Sequence, residues 1–506
     1  MLGTPQSNGG CFGVSSGIEA VPRSGVETVA GRRVPKVLRG SPVREASHIR
    51  NAACFALSIG AAALIAGCSA LPLSLSKGQG DVPAGSRGVR AQEHVLGDFV
   101  ESDGVVPSGG LIVDKSGAFY GTTENGDGLG CTGFGCGTVF KLTPVSSAQY
   151  ALAVIYQFKG DQDGGVPSGG LTADPSGALF GTTGTGGLSQ DGYSGTVFTL
   201  THSESGYSEH AIYSFTGGND GRAPEGGVIE DGKRALYGVA MYNGDTRCEC
   251  GTAYKLTRSG GGYTFSVIYR FQGGTDGSYP STPLVADSRG NLYGMTFEGG
   301  SCKFNVDGCG TVFEIRQSHG TYIHVVLHAF SGGATDGVYP IGGLALDSSG
   351  NLYGATTYGG TCPIDSFGCG VAFELSPLGP TYSERVLYSF GSQGKDDGVF
   401  PNGSFTLAAG GVIYGTTTGT EIRQCYKRGV SCGTVFKLTP VGSSYTESVI
   451  FRFRDATQGN IPLSGLLAVG NSLFGETGFG GSPSCNFDGR SGCGTIFALS
   501  LHANFR

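Results

Sequence analysis

Cysteine is the residue best placed for chemistry in this sequence, and its spacing argues for crosslinks. Beyond Cys11, Cys54 and Cys68, twelve cysteines fall in pairs: Cys131/Cys136, Cys248/Cys250, Cys302/Cys309, Cys362/Cys369, Cys425/Cys432 and Cys485/Cys493. The second member opens a recurring phrase, FGCGTVFKLTP at 134–144 and SCGTVFKLTP at 431–440, with echoes CGTAYKLT at 250–257 and CGTVFEI at 309–315. No C-x2-C occurs and no histidine lies near a pair, so a zinc ligand set is missing. An exported chain oxidises such pairs, and each short loop then contributes about 2–3 kcal/mol through the unfolded state. Cys248 and Cys250 enclose one residue, so that bridge is expected to be strained and the most reducible; a redox role stays open there alone.

A second recurring group is Asp-Gly, at Asp103, Asp163, Asp220, Asp276, Asp336 and Asp397. Calcium is the sharper reading, but it takes six or more oxygens and each loop offers one carboxylate. An Asp that caps its own turn while Gly takes positive φ accounts for the sixfold repetition. No metal or cofactor is therefore expected. Nor does a Ser/His/Asp set assemble: G-x-S-x-G is absent, and none of the eight histidines falls in a long loop. A glycosidase-like carboxylate pair stays open. The absence of Trp weakens a sugar platform.

These groups are positioned by a repeat. The phrase [YF]-G after a short apolar run marks seven copies, at Tyr120, Phe180, Tyr237, Tyr293, Tyr353, Tyr414 and Phe474, with intervals of 60, 57, 56, 60, 61 and 60 residues. Each unit holds four strand-like pieces rich in β-branched and aromatic residues; in the fourth these are 282–287, 291–296, 310–315 and 321–330. Along YTFSVIYRF (263–271) the alternation puts Tyr263, Phe265, Val267, Tyr269 and Phe271 on one face. Seven four-stranded units predict an all-β fold, a seven-bladed β-propeller. The pattern opens at EHVLGDF (93–99), a fourth strand, and ends at CGTIFALS (493–500), a third strand. Pairing the N-terminal outer strand with the last blade would close the ring and leave no end units to cap.

With strand one innermost, the four-to-one and two-to-three connections share one rim and the short turns share the other. The cysteine loops and the Asp-Gly loops both lie on the first rim, where binding is expected. Its unrepeated residues are the candidates for contact: Tyr193, Tyr242, Arg247, Phe304, Tyr358, Phe367, Arg423, Tyr426, Lys427, Arg428, Phe487 and Arg490.

Charge separates a leader from the body. Residues 1–67 carry seven Lys/Arg against three Asp/Glu, and the rest carry 26 against 37. An acidic body argues against nucleic acid. Residues 51–67, NAACFALSIGAAALIAG, have the size and flanks of a signal peptide. Leu64-Ile65-Ala66-Gly67-Cys68 resembles a bacterial lipobox, which would make Cys68 the lipidated N-terminus and the membrane a partner through that anchor. Ser69 follows, so an outer-membrane or cell-surface lipoprotein is expected. The first ~40 residues exceed a signal n-region and read as an early start, with Val37 or Val43 as the true one. The expected organisation is a leader over 1–67, a Ser/Gly/Pro tether over 68–92 and the propeller over 93–506.

The running pattern DG-x-x-P … LYGTT … GG … CGTVFKLTP … VLYSF resembles the bacterial tandem-repeat family of GloVer repeat proteins over about 93–500. Its best copies are 336–360 and 397–419; QGNIP (458–462) and YGVA (237–240) depart from it. The resemblance implies a surface array with varied anchors and carries no catalytic residue. Three readings stand: a non-enzymatic envelope propeller binding a protein or glycan through its long-loop rim, a polysaccharide hydrolase or lyase with acids at the channel mouth, and a structural or adhesive surface protein. The non-enzymatic reading leads.

Overall fold

The computed structural model describes residues 77–78 and 91–501, apart from 127–130, 132–134, 147–148, 190–191, 245–247, 303–306, 364, 394–396, 421–431, 443, 455 and 488–489. The chain divides into Met1–Phe55 and Ala56–Arg506; the second unit contains every described residue. The signal segment, Cys68, Val37 and Val43 lie outside the described residues.

Seven sheets of antiparallel strands form a closed propeller. In the third blade the strands run inner to outer as Val228–Glu230, Leu236–Ala240, Thr252–Ser259 and Gly262–Arg270. The ring closes as the termini predicted. Ala91–Asp98 pairs antiparallel with Thr495–Leu501 and supplies the outer strand of the seventh blade.

The core lies at the joints between blades. Seven buried clusters form, each drawn from two adjacent blades. At every joint the Phe just past one outer strand meets, edge to face, the third residue of the next blade's TVF, TAY, VAF or TIF phrase. Phe271–Phe313 and Phe330–Phe373 are typical, with centroids 5.1 Å apart in both. Such pairs contribute about 0.5–1.5 kcal/mol beyond area burial.

The backbone repeats the contact. The residue before the Pro of each D-G-x-x-P loop sits at φ of 53 to 61°, whatever its side chain: Val106, Val166, Ala223, Tyr279, Tyr339, Phe400 and Ile461. For a β-branched residue that region costs on the order of 1–3 kcal/mol. What holds it is a backbone hydrogen bond across the joint. Tyr339 donates its N–H to the carbonyl of Cys309 in the preceding blade at 2.8 Å, and Tyr279 to Cys250 at 3.0 Å. The second blade has no cysteine, and Ala223 bonds Ser194 in the same way at 3.0 Å. The following Pro covers the Gly after that cysteine. A Cβ on Gly310, at φ +97°, would collide with Pro340.

The outer strand departs from simple alternation. All seven carry a bulge near the end, falling in the third blade between the partners of Ala253 and Tyr254. Val267 pairs with Tyr254 and Tyr269 with Ala253, so Ile268 is the extra residue. Neighbouring residues on the partner strand face opposite sides, so Tyr269 does not share the face of Phe265 and Val267, correcting the single face expected from 263–271. Phe265 packs back on Tyr213 of the second blade, rings stacked at 3.9 Å, whereas Tyr269 packs forward on His324 of the fourth, at 4.3 Å. One strand thereby serves two joints.

Tyr254 replaces the usual Phe of the third strand, and its fully buried hydroxyl has no hydrogen-bond partner among the described residues. Leaving a polar group so costs about 1–3 kcal/mol. Tyr254→Phe is expected to stabilise the protein by about 1 kcal/mol in urea titrations; unchanged or lower stability would show that the hydroxyl is satisfied in solution.

Candidate functional site

The long-loop rim is built from the connections around the disulfides. Cys131–Cys136, Cys248–Cys250, Cys302–Cys309, Cys362–Cys369 and Cys485–Cys493 are formed, with Cα atoms 5.1, 5.3, 5.1, 5.5 and 5.7 Å apart. Each joins the loop after a second strand to the start of a third, beside the carbonyl that holds the next blade. The sixth pair expected from the sequence, Cys425 with Cys432, is described at one end only. Cys432 is buried and disulfide-bonded, and its carbonyl accepts the Ile461 N–H at 3.4 Å. Cys425 lies outside the described residues, as do Arg247, Phe304, Arg423, Tyr426, Lys427 and Arg428.

The remaining candidates do not converge. Tyr193 and Phe367 stand on separate blades, 50% and 59% exposed. Phe487 belongs to a small hairpin with Arg490 and packs on the core, while the Arg490 guanidinium lies 4.6 Å from the Phe479 ring centre. Tyr242 and Tyr358 join a group that the sequence reading missed. Tyr242 touches Tyr279 (5.4 Å), Phe297 stacks on Tyr339 (4.5 Å, 9°), and Tyr358 lies between Tyr339 (6.4 Å) and Phe400 (5.5 Å). The Phe297 N–H donates to the Tyr279 carbonyl at 3.1 Å and joins the two halves. All six rings are half-buried, and Tyr339 and Tyr358 also pack on the core of the fourth and fifth blades. They form an arc across the third to sixth blades, with the Arg222 guanidinium 5.2 Å from the Tyr242 ring centre at one end. Tyr279, Tyr339 and Phe400 occupy the left-handed position before proline, a signal that lay inside the repeat phrases SYP, VYP and VFP.

A second set of groups lies nearer the ring centre. Glu124 accepts the Ser108 hydroxyl at 2.7 Å. Glu225 reaches the second blade, its Oε1 4.0 Å from where a Cβ on Gly184 would stand. Both are half-exposed yet crowded by neighbouring atoms. Burial first, and the Glu124 carboxylate second, push Glu225 up to about 7; burial also raises Glu124. Glu476, 1% exposed, accepts the Gly110 N–H at 3.0 Å and has the Ser464 hydroxyl beside it. Burial raises it to about 7.

The Asp-Gly carboxylates have defined partners. Asp163, Asp220 and Asp276 accept backbone N–H groups four residues earlier, from Lys159 (3.0 Å), Thr216 (2.8 Å) and Gln272 (2.8 Å). Asp336 and Asp397 accept those of Ser331 (2.7 Å) and Gln393 (3.3 Å), and Asp103 that of Val100 (3.4 Å). Four also accept the tyrosine hydroxyl of the strand before: Tyr156–Asp163 and Tyr213–Asp220 at 2.8 Å, Tyr269–Asp276 and Tyr388–Asp397 at 2.7 Å. His328 meets Asp336 at 3.3 Å. In the seventh unit Gln458 takes the aspartate's place and Phe451 the tyrosine's, so hydroxyl and carboxylate are lost together. Among the described residues, no group of three or more His, Cys, Asp or Glu is placed to hold a metal.

Three glutamates of the outer strands face these pairs from the next blade. Tyr156 lies 2.8 Å from Asp163 and 3.4 Å from Glu209. Its single hydrogen cannot serve two carboxylates, so Glu209 bonds it only as the protonated acid. Burial, then the Asp163 charge, raises Glu209 to about 7 against smaller pulls from the Tyr156 hydrogen bond and Lys159. Burial raises Glu384 to about 7, with His328 opposing and Asp336 adding. Glu447 rises to about 8 through burial and Asp397, opposed by Arg452.

These features define a disulfide-pinned β-propeller with one elaborated rim. The chain belongs to the Gloeobacter/Verrucomicrobia repeat family, whose model matches residues 191–427 and 306–506. No curated protein matches it. Solved structures similar to it include a protein from Lactobacillus plantarum (11% identity over 74% of this chain and 94% of that one, TM-score 0.42). A polysaccharide lyase, an ulvan lyase, is 10% identical over 78% and 94%, TM-score 0.44. A fungal alcohol oxidase in complex with copper is 13% identical over 80% and 76%, TM-score 0.46. Such distant likeness transfers no activity.

The raised glutamates set a pH dependence. Each binds its proton more tightly folded than unfolded, so its stabilisation is complete below about pH 4.5 and is lost as pH rises through about 7–8. The melting temperature is expected to fall between pH 5 and pH 8.5. The triple variant Glu209→Gln, Glu384→Gln, Glu447→Gln should flatten that slope and gain at least about 1 kcal/mol at pH 8.5. A wild-type melting temperature that rises over this range would contradict the assignment.

Proposed function

We propose that this protein is a tethered binding propeller of the cell envelope that presents its long-loop rim to a protein or an extracellular glycan. The observation that carries the reading is the arc of six half-buried rings on that rim, held by a backbone that is crosslinked at five described loops. Aromatic rings on a rigid frame give contact area at little entropic cost. The disulfides fit maturation in an oxidising compartment, and family membership fits surface display.

Anchoring through a lipid on Cys68 belongs to this proposal. Radiolabelled palmitate should enter the wild-type chain in its native host and not Cys68→Ser; equal labelling of the variant removes the anchor from the account.

A second reading has one observation in its favour. Glu225, raised to about 7 beside Glu124, is suited to general acid or base work on a polysaccharide. A glycan and peptide array probed with the purified mature chain, followed by turnover assays on each hit, separates the two. Binding without turnover is expected. Turnover abolished by Glu225→Gln would install the hydrolase or lyase reading instead.

A further inference from the structure

Resting on the binding reading, we propose that the arc Tyr242–Tyr279–Phe297–Tyr339–Tyr358–Phe400 is a stacking shelf for an extended neutral glycan. The rings follow one another with centroids 4.5 to 6.4 Å apart, joined between Tyr279 and Phe297 by the backbone hydrogen bond. The rings thus form two groups, Tyr242 with Tyr279 and Phe297 with Tyr339, Tyr358 and Phe400, that the backbone bond brings together across four blades, a spread suited to a chain rather than to one sugar. The apolar faces of pyranose rings pack on aromatic faces, and their hydroxyls need polar groups at the edges.

Both parts are present. Four of the six rings are tyrosines, which combine an apolar face with a polar end. Ser281 and Asn402, half-exposed, each stand two residues after an arc residue, following Tyr279–Pro280 and Phe400–Pro401. Asn402 directs its carbonyl oxygen to the Gly403 N–H at 2.7 Å, which leaves its amide nitrogen as a donor.

Charge selects among polymers. The body carries a net excess of eleven acidic residues beyond residue 67, opposed to nucleic acid and to polyanionic glycans alike. At one end Arg222 is engaged by Tyr242 and lies 3.7 Å from Glu249, so its charge is already met. A proline-rich peptide is the other ligand that aromatic grooves take. That peptide is therefore carried through the test as the alternative outcome.

The test is affinity electrophoresis of the mature chain through native gels containing a soluble neutral glucan, xylan or mannan, with a polyuronate and a proline-rich peptide as comparison probes. Hits are titrated with the matching hexasaccharide. The chain lacks Trp, so tyrosine emission reports binding directly. At least one neutral polysaccharide should retard the wild type, and Phe297→Ala and Tyr339→Ala should each weaken the hexasaccharide about tenfold. Tyr339→Phe should retain most affinity, and Tyr193→Ala and Phe367→Ala should change nothing. Unaltered melting of each variant guards against misfolding. Neutral-glycan binding untouched by Phe297→Ala and Tyr339→Ala would overturn the shelf while leaving the binding rim intact. Preference for the polyuronate or the peptide would overturn the ligand class. Retardation by no probe would overturn this inference, and the array decides the broader reading separately.

Discussion

A single amide, repeated at each joint, governs this molecule. The residue before the Pro of every D-G-x-x-P loop gives its N–H to the carbonyl of the Cys, or of Ser194, in the preceding blade. To do so it must sit in the left-handed region, which costs strain even for Val106, Val166 and Ile461. The bond, the proline laid over the neighbouring glycine and the edge-to-face aromatic pair below it offset that cost together. The repeat phrases CGTVF and DGxxP are the two halves of one inter-blade contact, which is why neither makes sense inside a single unit. The disulfide fixes the loop that presents the carbonyl, and the second blade shows that the carbonyl is needed even where the cysteine is not.

The same contact connects frame and function. It fixes the backbone before proline but leaves the side chain unspecified, so small, branched and aromatic residues all occupy it. In three consecutive blades the choice is aromatic, and those rings meet Tyr242, Phe297 and Tyr358 on the rim. A constraint on φ thus supplies a surface that can vary without disturbing the ring.

Much of the fold was legible because repetition exposes it: seven units, four strands each, and a closing strand named by EHVLGDF. The bulge was hidden because Ile268, the inserted residue, is as apolar as its neighbours. Tyr269 and Phe271 therefore continue an apparent two-residue period although they face the other blade. The site was less legible for a related reason. Tyr279, Tyr339 and Phe400 look like repeat filler, and their grouping depends on which blades are neighbours. Glu209, Glu384 and Glu447 read as polar residues of an edge strand; only Asp163, Asp336 and Asp397, on the loops that leave the preceding blade, turn them into proton-holding acids.

The most direct test of the joint is amide hydrogen exchange at single-residue resolution on the mature chain at neutral pH. The amides of Val106, Val166, Ala223, Tyr279, Tyr339, Phe400 and Ile461 should exchange as slowly as those of the buried second strands, although they lie in loops. Exchange at the rate of the exposed turn at Ser348 and Ser349 would contradict the account, since the blades would then be held without this bond.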